Sequence, residues 1–268
     1  GQYSSAVRIL FRERSPGGAP GAWQVVMSHW NTGFLRGASL HYDSAGRPVV
    51  THAVESDMGT VIIQRRVLDA GTWKLTTSWD GPGEVGSQVS IAFSVRQDGS
   101  TDALVLIQSG GWGNSGSSLH YGRLPANGGS VDWDSRYDLK SAKLDGFSFP
   151  NPIGFTVGDM PRNLSMAVDA SGVVHAVYSN DSSYETVPGG TAQRSSLAYI
   201  SRTAGGDWTP PQVVVTPGSG YGDGGVGASL AIAPDGTIAI ASAFVPRVYT
   251  GSTAGPAELR YLVKQSNG

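Results

Sequence analysis

A chain of 268 residues with 39% hydrophobic content can bury a sizeable core, and its lack of cysteine excludes both a disulfide framework and thiolate chemistry. Nineteen basic and 21 acidic residues, a net charge of -2, give no long-range pull toward nucleic acid or an anionic membrane. No run approaches the roughly 20 apolar residues of a membrane helix, so membrane insertion is not expected.

The first predicted element is the strand Val7-Arg8-Ile9-Leu10-Phe11-Arg12, followed by a Gly-rich turn and a second strand headed by Trp23. A hairpin with the tip Asp43-Ser44-Ala45-Gly46 comes next. It leads to Val61-Ile62-Ile63-Gln64-Arg65-Arg66 and a strand headed by Trp73. The same order returns with Asp98-Gly99, Leu119-His120-Tyr121-Gly122-Arg123 and Trp133. It returns again with Asp169-Ala170-Ser171-Gly172, Leu197-Ala198-Tyr199-Ile200-Ser201-Arg202 and Trp208. The last copy has Asp235-Gly236 and Leu259-Arg260-Tyr261-Leu262-Val263-Lys264, with no Trp behind it.

In these five phrases an aliphatic residue opens the strand, a residue of the same face follows two places on, and a base closes it. Asp and Gly suit the hairpin tips because Gly accepts positive φ while Asp bonds its own backbone. One unit therefore reads strand, Asp-Gly turn, strand, loop, Leu-x-Tyr strand, Gly turn, Trp strand. Four antiparallel strands per repeat predict an all-β fold, a β-propeller with about five blade-forming repeats.

The expected layout is a partial blade over 1–34, blades over about 35–83, 84–142 and 143–218, and a partial blade over 219–268. The two ends hold nearly complementary halves, with one surplus Leu-x-Tyr strand. In a closed five-bladed ring, 259–264 is expected to pair with a strand from the first 30 residues. In an arc of a larger ring, a second chain or a missing segment takes that place. The four repeated Trp are expected to be structural, one at the equivalent position of each blade.

Loops carry function where blades carry stability. The long ones are Lys143–Arg162, Asn180–Arg194, Gly218–Gly227, Gly110–Ser118 and Pro246–Pro256. His29 and Trp30 after the first Trp strand, Trp112, Tyr184 and Tyr221 are the candidate ligand-binding residues. An aromatic face suits the C–H face of a pyranose.

The unit Asp-x-x-Gly, then Val173-Val174-His175-Ala176-Val177-Tyr178, then Leu-x-Tyr-x-x-Arg and Trp, resembles the repeats of sialidase-like propellers of the BNR type. That family includes propeller-shaped polysaccharide lyases. The resemblance covers most of the chain and implies a propeller fold and sugar-directed activity.

For catalysis the candidates are His52, His175, Tyr178 and Arg202. A lyase needs a base, an acid for the leaving oxygen and a cation for the uronate carboxylate, and these residue types supply those roles. His175 and Tyr178, three apart on one strand, should face opposite ways, and His52 should occupy the place of Tyr178 in its own unit. Asp223, among flexible glycines, is the candidate cation ligand, with calcium the cation its oxygen would suit. No His pair has metal-ligand spacing, which argues against zinc.

Two functions follow. The first is an extracellular recognition or scaffold module, secreted or at the cell surface with its signal peptide out of view, binding glycan or protein through rim loops. The second is a carbohydrate-active enzyme, lyase or hydrolase, with an axial His/Tyr/Arg site. Repeated shallow pockets between blades would favour the first. Convergence of His, Tyr, Arg and a carboxylate on the axis would favour the second.

Overall fold

The computed structural model describes residues 7–14, 16–29, 34–55, 60–82, 87–96, 98–109, 116–138, 160–187, 190–215, 222–246 and 258–264. Among these residues alternating apolar and polar side chains build seventeen strands and no helix. A first hairpin joins β1 (Val7–Phe11) to β2 (Gln24–His29). A second unit runs β3 (Phe34–Tyr42), β4 (Pro48–Glu55), β5 (Val61–Asp69), β6 (Thr72–Asp80) as one four-stranded antiparallel sheet. A third repeats it with β7 (Ser87–Val95), β8 (Thr101–Ser109), β9 (Gly116–Leu124), β10 (Asp134–Asp138).

The fourth unit is β11 (Met160–Val168), β12 (Val174–Val187), β13 (Gly190–Arg202), β14 (Gln212–Val215). The fifth is β15 (Gly222–Ile232), β16 (Ile238–Pro246) and β17 (Glu258–Lys264). A single parallel bridge, Ser195 to Asp223, joins these last two units into one hydrogen-bonded sheet.

Every first-to-second-strand turn has the same backbone. The N–H of Asp43, Arg96, Asp169 and Ala233 bonds the carbonyl four residues on, and Gly46, Gly99, Gly172 and Gly236 bond back three. All four glycines have positive φ, from 75° to 87°, which only Gly adopts without strain. The turn accepts its Asp in two places. Asp43 and Asp169 stand first and take two backbone N–H groups each, at 2.8–3.0 Å. Asp98 and Asp235 stand third and take one, at 2.8 and 2.9 Å. That is why the sequence shows both Asp-x-x-Gly and Asp-Gly.

The units stack face to face. Strands β3, β7, β11 and β15 lie side by side in that order. Each unit turns one face, here called leading, toward the next unit and the other, trailing, toward the one before. Ile63 and Trp79 of the second unit meet Val89, Val105 and Leu124 of the third. Leu119 and Tyr121 of the third meet Met166, Tyr178 and Ile200 of the fourth. Leu197 and Tyr199 of the fourth meet Leu230, Ile240 and Leu262 of the fifth. Phe11 and Val26 of the first hairpin meet Val50, Leu68 and Trp73 of the second unit.

Cations stitch two of these junctions. Arg202 of the fourth unit stands 4.4 Å from the centre of the Tyr121 ring of the third. Lys264 of the fifth stands 5.6 Å from Tyr199 of the fourth. In the fourth and fifth units the closing base therefore contacts the preceding unit, whereas Arg123 of the third turns to Asp102 of its own unit.

Four expectations need correction. Asn180–Arg194, expected as a loop, continues the β12–β13 hairpin with Tyr184 paired to Gln193, because its polar residues still alternate across a ladder. Gly222–Gly227 runs as the start of β15 rather than a turn. Trp73, Trp133 and Trp208 pack into trailing-face cores, but Trp23 is 61% exposed. Among the described residues nothing stands behind the trailing face of its hairpin, whereas Trp79, unmarked by the repeat, is 3% exposed. Finally, β17 pairs with β16 alone among the described residues, not with the first 30 residues.

Gly37 shows how tightly the first strands approach. A Cβ there would strike the carbonyl oxygen of Ile91 on β7. Gly37→Ala should force β3 and β7 apart and cost roughly 1–3 kcal/mol, read as a lowered urea midpoint.

Candidate functional site

In an antiparallel unit the turns between first and second strands and between third and fourth strands fall at one end. Two clefts open at that end, each between neighbouring units. The first, about 520 Å³, lies between the second and third units and is lined by His41, Arg47, Arg65, Arg96 and Asp98. The other, about 480 Å³, lies between the third and fourth and is lined by Arg123, Trp133, Asp134, Arg202 and Asp207. The strand ends joined by the long connections all lie at the opposite end.

Arg65 dominates the first cleft. It is 7% exposed and donates from Nη1 to the carbonyls of Gly99 at 2.9 Å and Ala126 at 3.4 Å. Its Nη2 is 3.4 Å from His41 Nε2. Burial lowers the pKa of Arg65. Burial, and next the Arg65 charge, lower that of His41, which favours the uncharged imidazole. The other lining charges are already engaged. Asp43 holds Arg47 at 2.8 Å, Asp98 takes Ser100 N and Oγ, and Arg96 Nε donates to Asp102 at 2.5 Å. Arg65 alone of the arginines here makes no direct bond to a carboxylate among the described residues, although the nearby Asp43 charge opposes the effect of its burial.

Beneath the second cleft lies a buried chain of polar groups. Asp102, 0% exposed, accepts the Tyr121 hydroxyl, Arg96 and, at 3.4 Å, Arg123. Burial first and the Asp102 bond next raise the pKa of Tyr121, so its proton stays. The fourth unit holds the same three positions with the charges rearranged. Tyr199 meets His175 Nδ1 at 2.6 Å, and His175 Nε2 meets Asp169 at 3.3 Å. A His protonated at Nε2 donates to Asp169 and accepts from Tyr199, which satisfies all three. Although burial opposes it, the bonds from Ser171, Val173 and His175 keep Asp169 below its ordinary pKa.

The catalytic candidates do not gather at one point. His175 sits with Tyr199 on the leading face of the fourth unit, while Tyr178 lies in the core on its trailing face. Arg202 lies over Tyr121 and donates to Asp134 at 2.9 Å. His52, on β4, is fully buried on the face that carries Val50, toward the first hairpin. Counted from the Asp-Gly turns, His52 and Tyr178 hold matching positions, as the sequence implies.

Of the candidate ligand-binding residues, Trp30, Trp112 and Tyr221 lie outside the described residues. His29 ends β2 and Tyr184 lies in β12, but their side chains are outside the described set. Asp223 lies in β15, its backbone paired with Val245 and bridged to Ser195, and its side chain is likewise outside. Among the described residues no group of three His, Asp or Glu side chains gathers to hold a metal. Arg65, His41, Arg96 and Asp102 were not singled out as site residues. The repeated phrase sets Ile63 level with the Tyr of the later units, and only the strand register places Arg65 there, opposite Thr51 as Tyr121 is opposite Leu104.

No protein-family model matches the sequence, and no curated protein matches it. Solved structures do. The NanB sialidase from Streptococcus pneumoniae is similar over 97% of this chain and 36% of its own, at 14% identity and a TM-score of 0.52. The likeness is one of β-propeller fold. An endo-arabinase from Bacteroides thetaiotaomicron matches over 91% of this chain and 83% of its own, at 12% identity and a TM-score of 0.49. A polysaccharide lyase matches over 84% of this chain and 50% of its own, at 10% identity and a TM-score of 0.47. This chain therefore spans about a third of the sialidase and half of the lyase.

His52 makes acid stability measurable. Neither ring nitrogen has a hydrogen-bond partner among the described residues. Burial first, then the Arg66 charge, lower its pKa from 6.5 to about 4, against the pull of Gln64. The unfolded chain binds this proton more readily, so the contribution of neutral His52 is present above pH 6.5 and lost as pH falls toward 4. The loss should reach about 3 kcal/mol. Urea midpoints at both pH values should show that His52→Leu removes this part of the decline.

Proposed function

We propose that this chain is a carbohydrate-recognition β-propeller module, an open arc of about five blade-forming repeats. Its best-defined seat is the cleft between the second and third units. The ligand is a glycan bearing a carboxylate, such as a uronic or sialic acid residue, and the module works secreted or at the cell surface. The observation that carries this is Arg65: a guanidinium 7% exposed, lining a cleft, with no carboxylate bonded to it among the described residues and only the Asp43 charge nearby, itself held by Arg47. A cation withdrawn from water is costly unless paired, and the planar guanidinium matches a carboxylate in two parallel bonds. His41 beside it, kept neutral, adds an imidazole for a hydroxyl.

Recurrence of clefts between units supports recognition over chemistry, because a repeated seat lets one polymer engage several units of one module. The sialidase with the same fold acts on a carbohydrate by its name, which agrees with a glycan partner. The alternative of a lyase or hydrolase with an axial His/Tyr/Arg site has less support, since His52 and His175 sit at two different interfaces and Tyr178 and Arg202 share a third.

Calorimetry should show binding of a uronate oligosaccharide and little of the same oligosaccharide with its carboxylates reduced. Arg65→Met should weaken binding about ten- to a hundred-fold, the worth of a charge-assisted pair. Equal affinity for acidic and reduced ligands would overturn the assignment even if the variant folds poorly. Release of cleaved product would favour the enzyme.

A further inference from the structure

Arg65 and His41 meet in the first cleft, and the chemistry of a guanidinium decides the state of the imidazole beside it. Arg65 can only donate. Its Nη1 spends both N–H groups on the carbonyls of Gly99 and Ala126, and its Nη2 lies 3.4 Å from His41 Nε2. Nε2 is therefore the bare nitrogen and the proton sits on Nδ1, which is buried with no hydrogen-bond partner among the described residues. A second proton on this ring would go to Nε2. It would turn the acceptor of the Arg65 bond into a donor and set two positive charges against each other.

The other titratable and charged groups of the cleft are Tyr42, Asp43 and Arg47 of the β3–β4 hairpin and Arg96 and Asp98 of the third unit. Both carboxylates are held, Asp43 by Arg47 and the turn N–H groups, Asp98 by Ser100. Arg96 donates to Asp102. The Asp43 charge pulls toward a protonated His41, but burial and the Arg65 charge outweigh it and keep the pKa below 6.5. A carboxylate entering from solution reverses this balance. It offsets the Arg65 charge, accepts the Nη2 N–H that His41 gives up, and accepts the new Nε2–H as well.

Resting on the assignment of a carboxylate-bearing glycan to this cleft, we propose that the ligand is captured together with a proton. His41 passes from acceptor of an Arg65 N–H to imidazolium, and the two cations hold one carboxylate between them. The proton comes from solvent and returns to it on release. Well above neutral pH the imidazole stays uncharged and meets a hydroxyl, so the carboxylate has Arg65 alone. A group whose pKa is higher in the complex than in the free protein strengthens binding as pH falls through that higher pKa. A fall in pH therefore loads the module, and a rise unloads it.

Calorimetry with tetragalacturonate, from about pH 7.5 to about pH 5, where the uronate carboxylates stay ionised, tests this. Affinity should rise about five- to ten-fold over that range, the linkage effect of a proton held roughly ten times more tightly in the complex. Near the midpoint the heat should vary with the ionisation enthalpy of the buffer, reporting uptake of about half a proton. His41→Gln keeps an acceptor for Arg65 but cannot titrate, so it should bind with one affinity across the range and take up no proton. Should that variant fail to fold, NMR titration of the His41 ring in the unaltered chain decides, since its pKa should rise when tetragalacturonate is added. Binding with no proton uptake, uptake that persists in His41→Gln, or a His41 pKa unmoved by ligand would overturn the inference and leave the carboxylate assignment standing. No binding at any pH in the range would overturn both.

Discussion

A unit of four short strands cannot bury either of its faces alone, and this deficit governs the whole molecule. The second-strand segment Pro48–Glu55 is buried at every position, because its two sets of alternating side chains enter two different cores. Val50 faces the first hairpin and Ala53 the third unit. A strand in that position loses the usual contrast between a wet and a dry face. It must satisfy any polar group it carries from neighbouring units or leave it unsatisfied. Asp102 and His52, fully buried, and His175, partly buried, are three outcomes of that constraint. Asp102 is answered by Tyr121 and two arginines, and His175 by Tyr199 and Asp169. His52 is answered only by losing its charge.

The same constraint explains the repeated phrase. Its aliphatic opening and its Tyr serve the leading junction, while in the fourth and fifth units its terminal base serves the trailing one. A phrase of six residues thus records both neighbours of a unit. Where Arg65 breaks the Tyr pattern, the next unit follows with Leu124, which a phrase tied only to its own strand would not require. Arg65 then spends its donors on the turn carbonyls of the third unit, fixing Gly99 and Ala126 as the walls of the first cleft. Departure from the repeat and formation of a polar seat occur at the same residue.

The strand order, the Asp-Gly turns and the opposed faces of His175 and Tyr178 were legible in the sequence because each rests on local periodicity. Trp79 and the extended β12–β13 hairpin were not, since neither carries a repeated mark. Trp79 is buried by units brought alongside it, and the polar stretch around Tyr184 alternates too weakly to be told from a loop. The clefts were legible only as a possibility of the architecture. Arg65 and His41 lie 24 residues apart on different strands, and Gly99 belongs to another unit again. Such a site has no spacing to search for.

Position within the unit decides what a departure from the repeat can reach. On the leading face near the turn end, a changed residue reaches both the next unit and the inter-unit cleft, as Arg65 does. Near the opposite end the equivalent residues, Ile63, Leu119 and Leu197, are all fully buried and only pack. Substituting one of those opens a cavity at a junction, while altering the residue two places on changes what the cleft can hold without removing the apolar contact beneath it. Along that strand the packing residue and the cleft-end residue stand with one residue between them. An aromatic at that position, Tyr121 or Tyr199, lies against a cation of the next unit, whereas the cation there, Arg65, bonds the turn carbonyls of the next unit at Gly99 and Ala126.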